Sequence, residues 1–204
     1  MASPGAQTSA GIPAAPEETL RAALYRLLAS SLSSPPTAET IELAENLTGD
    51  VTPLGRAVSA LARAAGRADL ARLGQEYHDL FIGLGRGELV PYGSYYLTGF
   101  LQEKPLAALR QDMARLQIAR SSDTHDPEDH AASVLEMMAG LIDGAFGAPQ
   151  PVAEQKRFYQ SHVGSWLPVF FRDLESVQSS AYFAALGGVG RAFLEIEDAA
   201  FELE

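Results

Sequence analysis

Apolar side chains recur at intervals of three and four through almost the whole chain, the period of amphipathic α-helices rather than of strands. From Glu17 to Leu32 the positions Leu20, Ala23, Leu24, Leu27, Leu28 and Ser31 mark one stripe, and Ser33-Ser34-Pro35-Pro36 ends it. Thr37 is placed to cap a second helix with the face Ile41, Ala44 and Leu47, ended by Gly49. Leu54, Val58, Leu61 and Ala65 predict a third helix closed by Gly66, and Asp69 starts a fourth that carries Leu70, Leu73, Tyr77, Leu80 and Phe81. Gly83, Gly85 and Gly87 break it, so Leu84 to Ser94 reads as a loop with turn chemistry from Pro91 and Gly93. Lys104 to Ile118 is again amphipathic through Leu106, Leu109, Met113 and Leu116.

Beyond a polar linker, Ser121 to His125, the run Asp126-Pro127-Glu128-Asp129 has the marks of a helix start. Asp126 serves as cap, Pro127 takes the first helical position, and the acids favour the positive end of the dipole. That helix carries Val134, Leu135, Met138, Leu141 and Ile142 and runs to Gly147. Pro149 and Pro151 separate it from a helical stretch with Phe158, His162 and Trp166, with a kink expected near Pro168, and a last helix runs from about Ala181 to the end. Strand patterns and repeats of fixed period are absent. The expected fold is all-α, a single-domain bundle of roughly eight to ten helices over residues 17–204, preceded by an Ala/Ser/Gly/Pro-rich lead, 1–16, expected to be disordered.

Composition narrows the function classes. A chain of 204 residues with 47% hydrophobic side chains is long enough for one sizeable core. It has no cysteine, which removes disulfides, thiolate metal sites, iron–sulfur clusters and cysteine nucleophiles together. The first residues lack the basic and apolar regions of an export signal, and no run reaches the roughly 18 apolar residues of a membrane span. A cytoplasmic protein without an integral membrane segment is therefore expected. The net charge is −11, and it is uneven: residues 1–120 hold 11 basic and 12 acidic side chains, residues 121–204 hold 4 and 14. Such a field disfavours nucleic acid and anionic lipid and steers cationic peptides inward, although acidity also serves solubility alone.

No assembled catalytic signature is present. The Gly83-Leu84-Gly85-Arg86-Gly87 run lacks the spacing of either phosphate-binding glycine motif and reads as a connection between helices. Asp126 and His130 are four apart, as oxygen and nitrogen ligands on one helical face would be, but no Glu-x-x-His occurs to build a di-iron bundle, and capping explains the same acids. His78 and His162 sit in helical patterns with no partner set for a triad. Tyr92, Tyr95 and Tyr96 crowd the loop after the glycines, either to plug the core or to grip a peptide.

Two blocks resemble the TorD/DmsD family of redox-enzyme maturation chaperones. Tyr77-His-Asp-Leu-Phe81-Ile-Gly83, followed by Pro91-Tyr-Gly-Ser94-Tyr95-Tyr96, is similar to the family's Tyr-x-x-Leu-Phe-x-Gly helix and Pro-[Trp/Tyr]-Glu-Ser-x-Tyr loop. Asp126-Pro127-Glu128-Asp129-His130 resembles its Glu-Pro-x-Asp-His block, and a matching helix with Glu136 and Met137 follows. Gly93 and Asp126 both stand where the family has Glu. The resemblance implies an all-α cytoplasmic chaperone, monomeric or domain-swapped, without catalysis, metal or cofactor of its own. Its partners would be the twin-arginine signal peptide and the apo form of a molybdopterin oxidoreductase, held until the cofactor is inserted. The site residues implied are Tyr77, Phe81, Tyr92, Ser94, Tyr95, Asp126, Asp129 and His130. The rival readings are a metal-dependent helical enzyme using Asp126 to His130, and a helical scaffold with no peptide groove.

Overall fold

The computed structural model describes residues 16–83, 87–120 and 126–203, and among these it contains ten α-helices and no strand. They are α1 (Pro16–Ser33), α2 (Ala38–Glu45), α3 (Pro53–Ala65), α4 (Leu70–Phe81), α5 (Gly93–Thr98), α6 (Lys104–Arg115), α7 (Ala131–Asp143), α8 (Val152–Phe158), α9 (Leu167–Glu175) and α10 (Ala181–Glu202). The expected lead lies outside the described residues except for Pro16, which is already helical, and so do positions 84–86 of the glycine run and the linker 121–125.

The most apolar helix takes the centre. In α7 only Ser133, Glu136 and Asp143 escape burial, and a helix hydrophobic on nearly every side must be covered on nearly every side. It packs along α1, while α10 packs on α3 and α9. Gly187 and Gly190 permit the last of these contacts, because a Cβ there would lie 2.3 Å from the Glu175 nitrogen and 2.3 Å from the Phe171 ring respectively.

Several expected boundaries hold. Thr37 and Thr40 form a reciprocal capping box on α2, Asp69 accepts from the Arg72 amide to cap α4, and Gly66 closes α3. The face of α1 holds only in part: Leu28 and Ser31 of the expected stripe are buried and Leu24 packs against the core. The buried residues are Ala22, Tyr25, Leu28, Ala29, Ser31 and Leu32, whereas Leu20 is 64% exposed and Ala23 also faces out. The turn follows Tyr25, whose hydroxyl donates to Glu197 at 2.9 Å, so the face with the aromatic ring and its polar partner goes inward.

Other corrections arise at breaks. α2 ends at Glu45 with Asn46 as its cap, short of Gly49, and α7 ends at Gly144 in the left-handed conformation, φ 83°, rather than at Gly147. The expected loop from Leu84 to Ser94 stops early, because α5 begins at Gly93. The kink expected near Pro168 is a full break. α8 passes into a π-helical turn over Tyr159–Val163, Trp166 leaves the helical conformation at φ −149°, and α9 starts afresh with Pro168 in its first turn.

The first and last long helices are joined by a buried charge. Glu197 is 1% exposed and receives Arg21 through Nε at 2.8 Å and Nη2 at 2.7 Å, besides the Tyr25 hydroxyl. Removing the carboxylate leaves the buried Tyr25 phenol without its acceptor and the Arg21 guanidinium with only Glu18 and Gln155 on its Nη1. Glu197→Ala is expected to cost about 3 kcal/mol of unfolding free energy in urea titration, and a loss under about 1 kcal/mol would show that the network adds little.

Candidate functional site

The shortest helix, α5, has no side chain of its own to satisfy its first amides, since Tyr92 at the cap position makes no such bond. Those amides are met from 35 residues further along the chain: Asp129 accepts the Gly93 N–H on its backbone oxygen at 2.9 Å and the Ser94 N–H on Oδ2 at 2.7 Å. The Ala131 amide returns a bond to the Pro91 carbonyl at 2.8 Å, so Tyr92 and His130 pair as an isolated antiparallel bridge. Their rings meet edge to face at 5.1 Å, and the Tyr92 hydroxyl donates to Asp126 Oδ1 at 2.9 Å. Burial, then this bond, pushes the Tyr92 phenol up.

This junction changes the roles expected of the acidic run. Asp126 does not cap α7 and Pro127 is not its first residue; 126–129 form a turn ahead of the helix. His130 is the cap, its Nδ1 accepting the Ala132 amide at 3.2 Å. Asp126 is drawn away by Tyr92, while Glu128 receives Arg110 at 2.7 Å and Arg120 at 3.8 Å. Burial alone would raise the Glu128 carboxyl, but Arg110 and then Arg120 hold it below the usual carboxylate range.

Of the residues expected at the site, Tyr92, Ser94, Asp126, Asp129 and His130 come together at the junction. Ser94 is fully buried and its hydroxyl accepts the Gln102 amide at 3.1 Å, so it ties the connection after α5 back to the start of that helix and presents nothing outward. Tyr95 is half-buried and its ring meets Tyr96 at 6.1 Å. Tyr77 is in the core and Phe81 packs against it, partly buried: Tyr77 donates to the Leu32 carbonyl at 3.0 Å and stacks edge-on with Phe81, which in turn meets Phe183. Burial, and then the charge of Asp126, push the Tyr77 phenol up to about 12. His78 is half-buried on α4. Asp123 and His125 of the acidic cluster fall outside the described residues. Among the described residues no group of three His, Asp or Glu side chains is close enough to hold a metal ion.

Two cavities flank the 126–130 turn. The larger, about 410 Å³, has Met113, Met137, Phe146 and Ala132 as its apolar surface, with Asp126, Glu128, Glu136 and Arg120 around it. The smaller, about 260 Å³, is bounded by Gly93, Leu97, Leu109, Asp129, His162 and Trp166. His162 bonds Asp112 at 2.8 Å, and the Trp166 indole donates to the His162 carbonyl at 2.8 Å. Local sequence pattern did not single out Arg110, Met137, Phe146 or Trp166 for this place. The one tryptophan of the chain was the available signal for the last of them.

Burial holds the His130 imidazole below its ordinary pKa, against the opposing pull of Asp126 and Asp129. The unfolded chain therefore takes up more protons than the folded one as the pH falls through the ordinary histidine value of about 6.5. This stabilisation is complete above that pH and is lost progressively below it. His130→Asn keeps a capping acceptor and removes the titration, so it is expected to flatten the fall of unfolding free energy between about pH 6.5 and 5. An unchanged slope in urea titrations across that range would remove His130 from the explanation.

Known proteins resemble this chain in sequence and in fold. The sequence model described as nitrate reductase delta subunit matches residues 48–172, more than half of the chain. The chaperone protein TorD of Aliivibrio fischeri is 28% identical over 202 residues, covering 87% of this chain and 92% of that one. TorD of Vibrio atlanticus is 26% identical over 149 residues, 69% of each chain. A crystal structure from Archaeoglobus fulgidus, described as a redox enzyme maturation protein, superposes with a TM-score of 0.58 at 19% identity, covering 93% of this chain and 99% of that one, and so shares the fold. With its all-α fold, the matched family model and the two sequence blocks joined in space, the chain belongs to the TorD/DmsD family of redox-enzyme maturation chaperones, the family of the nitrate reductase delta subunit.

Proposed function

We propose that this protein is a cytoplasmic, non-catalytic chaperone that holds the twin-arginine signal peptide of a molybdopterin oxidoreductase while the apo-enzyme receives its cofactor. The observation that supports this reading most is the larger cavity beside the junction, where methionine and phenylalanine side chains lie next to Asp126, Glu128 and Glu136. A twin-arginine signal offers guanidinium groups followed by an apolar segment; the cavity offers apolar surface for that segment and, in Glu136, an exposed carboxylate beside it. Methionine adapts its shape to different apolar partners, which suits a surface that receives a flexible peptide. The named relatives are chaperones of the TorD type, and the strongly acidic second half of the chain favours a basic ligand.

The two parts of the interaction separate by salt. Exposed acidic charge accelerates encounter and is screened over about 8 Å at physiological ionic strength, whereas buried apolar area resists salt. Three peptides titrated at low and high salt test this: a twin-arginine signal, the same with Arg-Arg changed to Lys-Lys, and one whose apolar segment is made polar. The Lys-Lys peptide is expected to weaken yet still bind, and the polar one to lose far more, because each apolar Å² removed from water contributes about 25 cal/mol before ordering costs. The association rate of the first should fall with salt while a salt-resistant affinity remains. Equal affinity for all three would end the signal-peptide reading.

A further inference from the structure

We propose that Arg26 is a built-in competitor of the bound peptide: it holds the Glu136 carboxylate where the methionine-lined cavity meets a second cavity along the seam of α1 and α7, and an arginine of the signal peptide takes its place there. This rests on the signal-peptide reading above. The second cavity, about 500 Å³, is bounded by Ala22, Ala23, Leu27 and Leu43 together with Arg26 and Asp143. Ser30 and Glu136 border both cavities, so the two spaces lie side by side with Glu136 between them. From Thr19 to Ser33 their common α1 wall is about 21 Å long at the helical rise, enough for about six residues of extended chain. Leu43, on α2, is one of the large apolar side chains that the fold leaves open to solvent. A peptide whose apolar segment fills the first cavity passes Glu136 on its way to the second.

Glu136 is the accessible acid of this seam, its side chain 54% exposed against 10% for Glu128. It is already engaged: Arg26 Nε donates to its Oε1 at 3.4 Å, while Nη1 of the same guanidinium donates to Asp143 Oδ2. The two arms are unequal. The Glu136 contact is near the outer limit of a hydrogen bond and joins exposed groups, the kind of pair that contributes little in water. Asp143 is the better anchor, because its Oδ1 also takes the Ala145 amide at 3.1 Å beyond the end of α7. The bond to Asp143 is the main cause that raises the Arg26 pKa, and Arg26 in turn holds the Asp143 carboxyl below its ordinary range. Glu136 is therefore released without loosening Arg26 from α7. A peptide guanidinium offers Glu136 two parallel donors, which a single Nε does not, so the exchange favours the guest and favours arginine over lysine. Arg26 thus sets a threshold that a bidentate donor passes more readily than a point charge.

The test is calorimetric titration of a twin-arginine peptide, and of its two forms with one arginine replaced by the neutral isostere citrulline, into wild type, Arg26→Gln, Arg26→Lys and Arg191→Gln. Arg191 is as exposed as Arg26, is paired with Glu175 and Glu195 and borders neither cavity, so its loss changes the net charge equally without touching the seam. Arg26→Gln is expected to bind the twin-arginine peptide about threefold tighter than wild type does, and Arg191→Gln to differ from wild type by less than about 1.5-fold. The gain should vanish with citrulline at one of the two positions, and also when Glu136→Gln is added to Arg26→Gln. Damage to the packing of α1 on α7 would not raise affinity, so the direction of the change separates competition from a structural role. Arg26→Lys keeps the charge but has one ammonium for two carboxylates, and it should show a gain of the same sign if Arg26→Gln fails to fold. Affinities of the Arg26 variants equal to or below that of wild type, a gain that persists with citrulline at either position, or an equal gain in Arg191→Gln would overturn the competitor while the signal-peptide reading survives. If the unmodified peptide does not bind wild type, both fall.

Discussion

The constraint on which the site depends is the need of a short helix for partners at its first amides. α5 is six residues long and brings no capping side chain, so its amides stay paired only while Asp129 is held against them. The Ala131 amide bonds back to Pro91 and His130 caps α7, so the same three residues, 129–131, hold the start of α5 and begin the central helix. Loss of the Asp129 contact would therefore loosen the entry to both helices. It is an economical way to give two distant parts of the chain one shared shape, since each partner also serves the other.

From that junction the cavities follow. With the carboxylate of Asp129 turned toward α5, Asp126 and Glu128 lie on the other side of the turn, where Tyr92, Arg110 and Arg120 hold them. The acidic run is thus divided between two faces. One face borders the methionine-lined cavity; the other borders the space closed by Trp166. The π-helical turn over Tyr159–Val163 matters here, because it directs His162 to Asp112 and is followed by the break that brings Trp166 toward Gly93. Tyr96 supports the same wall from α5, bonding Asp173 at 3.0 Å and meeting the Trp166 ring at 5.6 Å.

Much of the fold was readable in the apolar period, because α3, α4, α6 and α7 each have one dominant face or are apolar throughout. α1 misled because it is leucine-rich on more than one side, and hydrophobicity alone could not tell that Tyr25 had a carboxylate waiting 172 residues away. The acidic run misled for a related reason. Asp-Pro-Glu-Asp carries every local preference for a helix start, yet each of its acids finds a better partner elsewhere: Tyr92, Arg110 or the α5 amides. Local propensity sets what these residues can do, and tertiary partners decided which of it they do. The resemblance placed Tyr77 and Phe81 among the site residues; in the structure Tyr77 is buried and Phe81 packs against the core.

The central claim is that the junction of residues 91–94 with 126–131 shapes the surface that a signal peptide meets. Nuclear magnetic resonance of the backbone amides, with and without a bound twin-arginine peptide, tests it most directly. The account predicts that the Gly93, Ser94 and Ala131 amides are protected from hydrogen exchange in the free protein. It also predicts that the peptide shifts resonances at Tyr92 to Leu97, Asp126 to Met137, Phe146 and Trp166. Shifts confined to the arginine-rimmed groove of α3, α4 and α10 around Arg63, Arg67 and Arg72, with the junction amides unaffected, would contradict it.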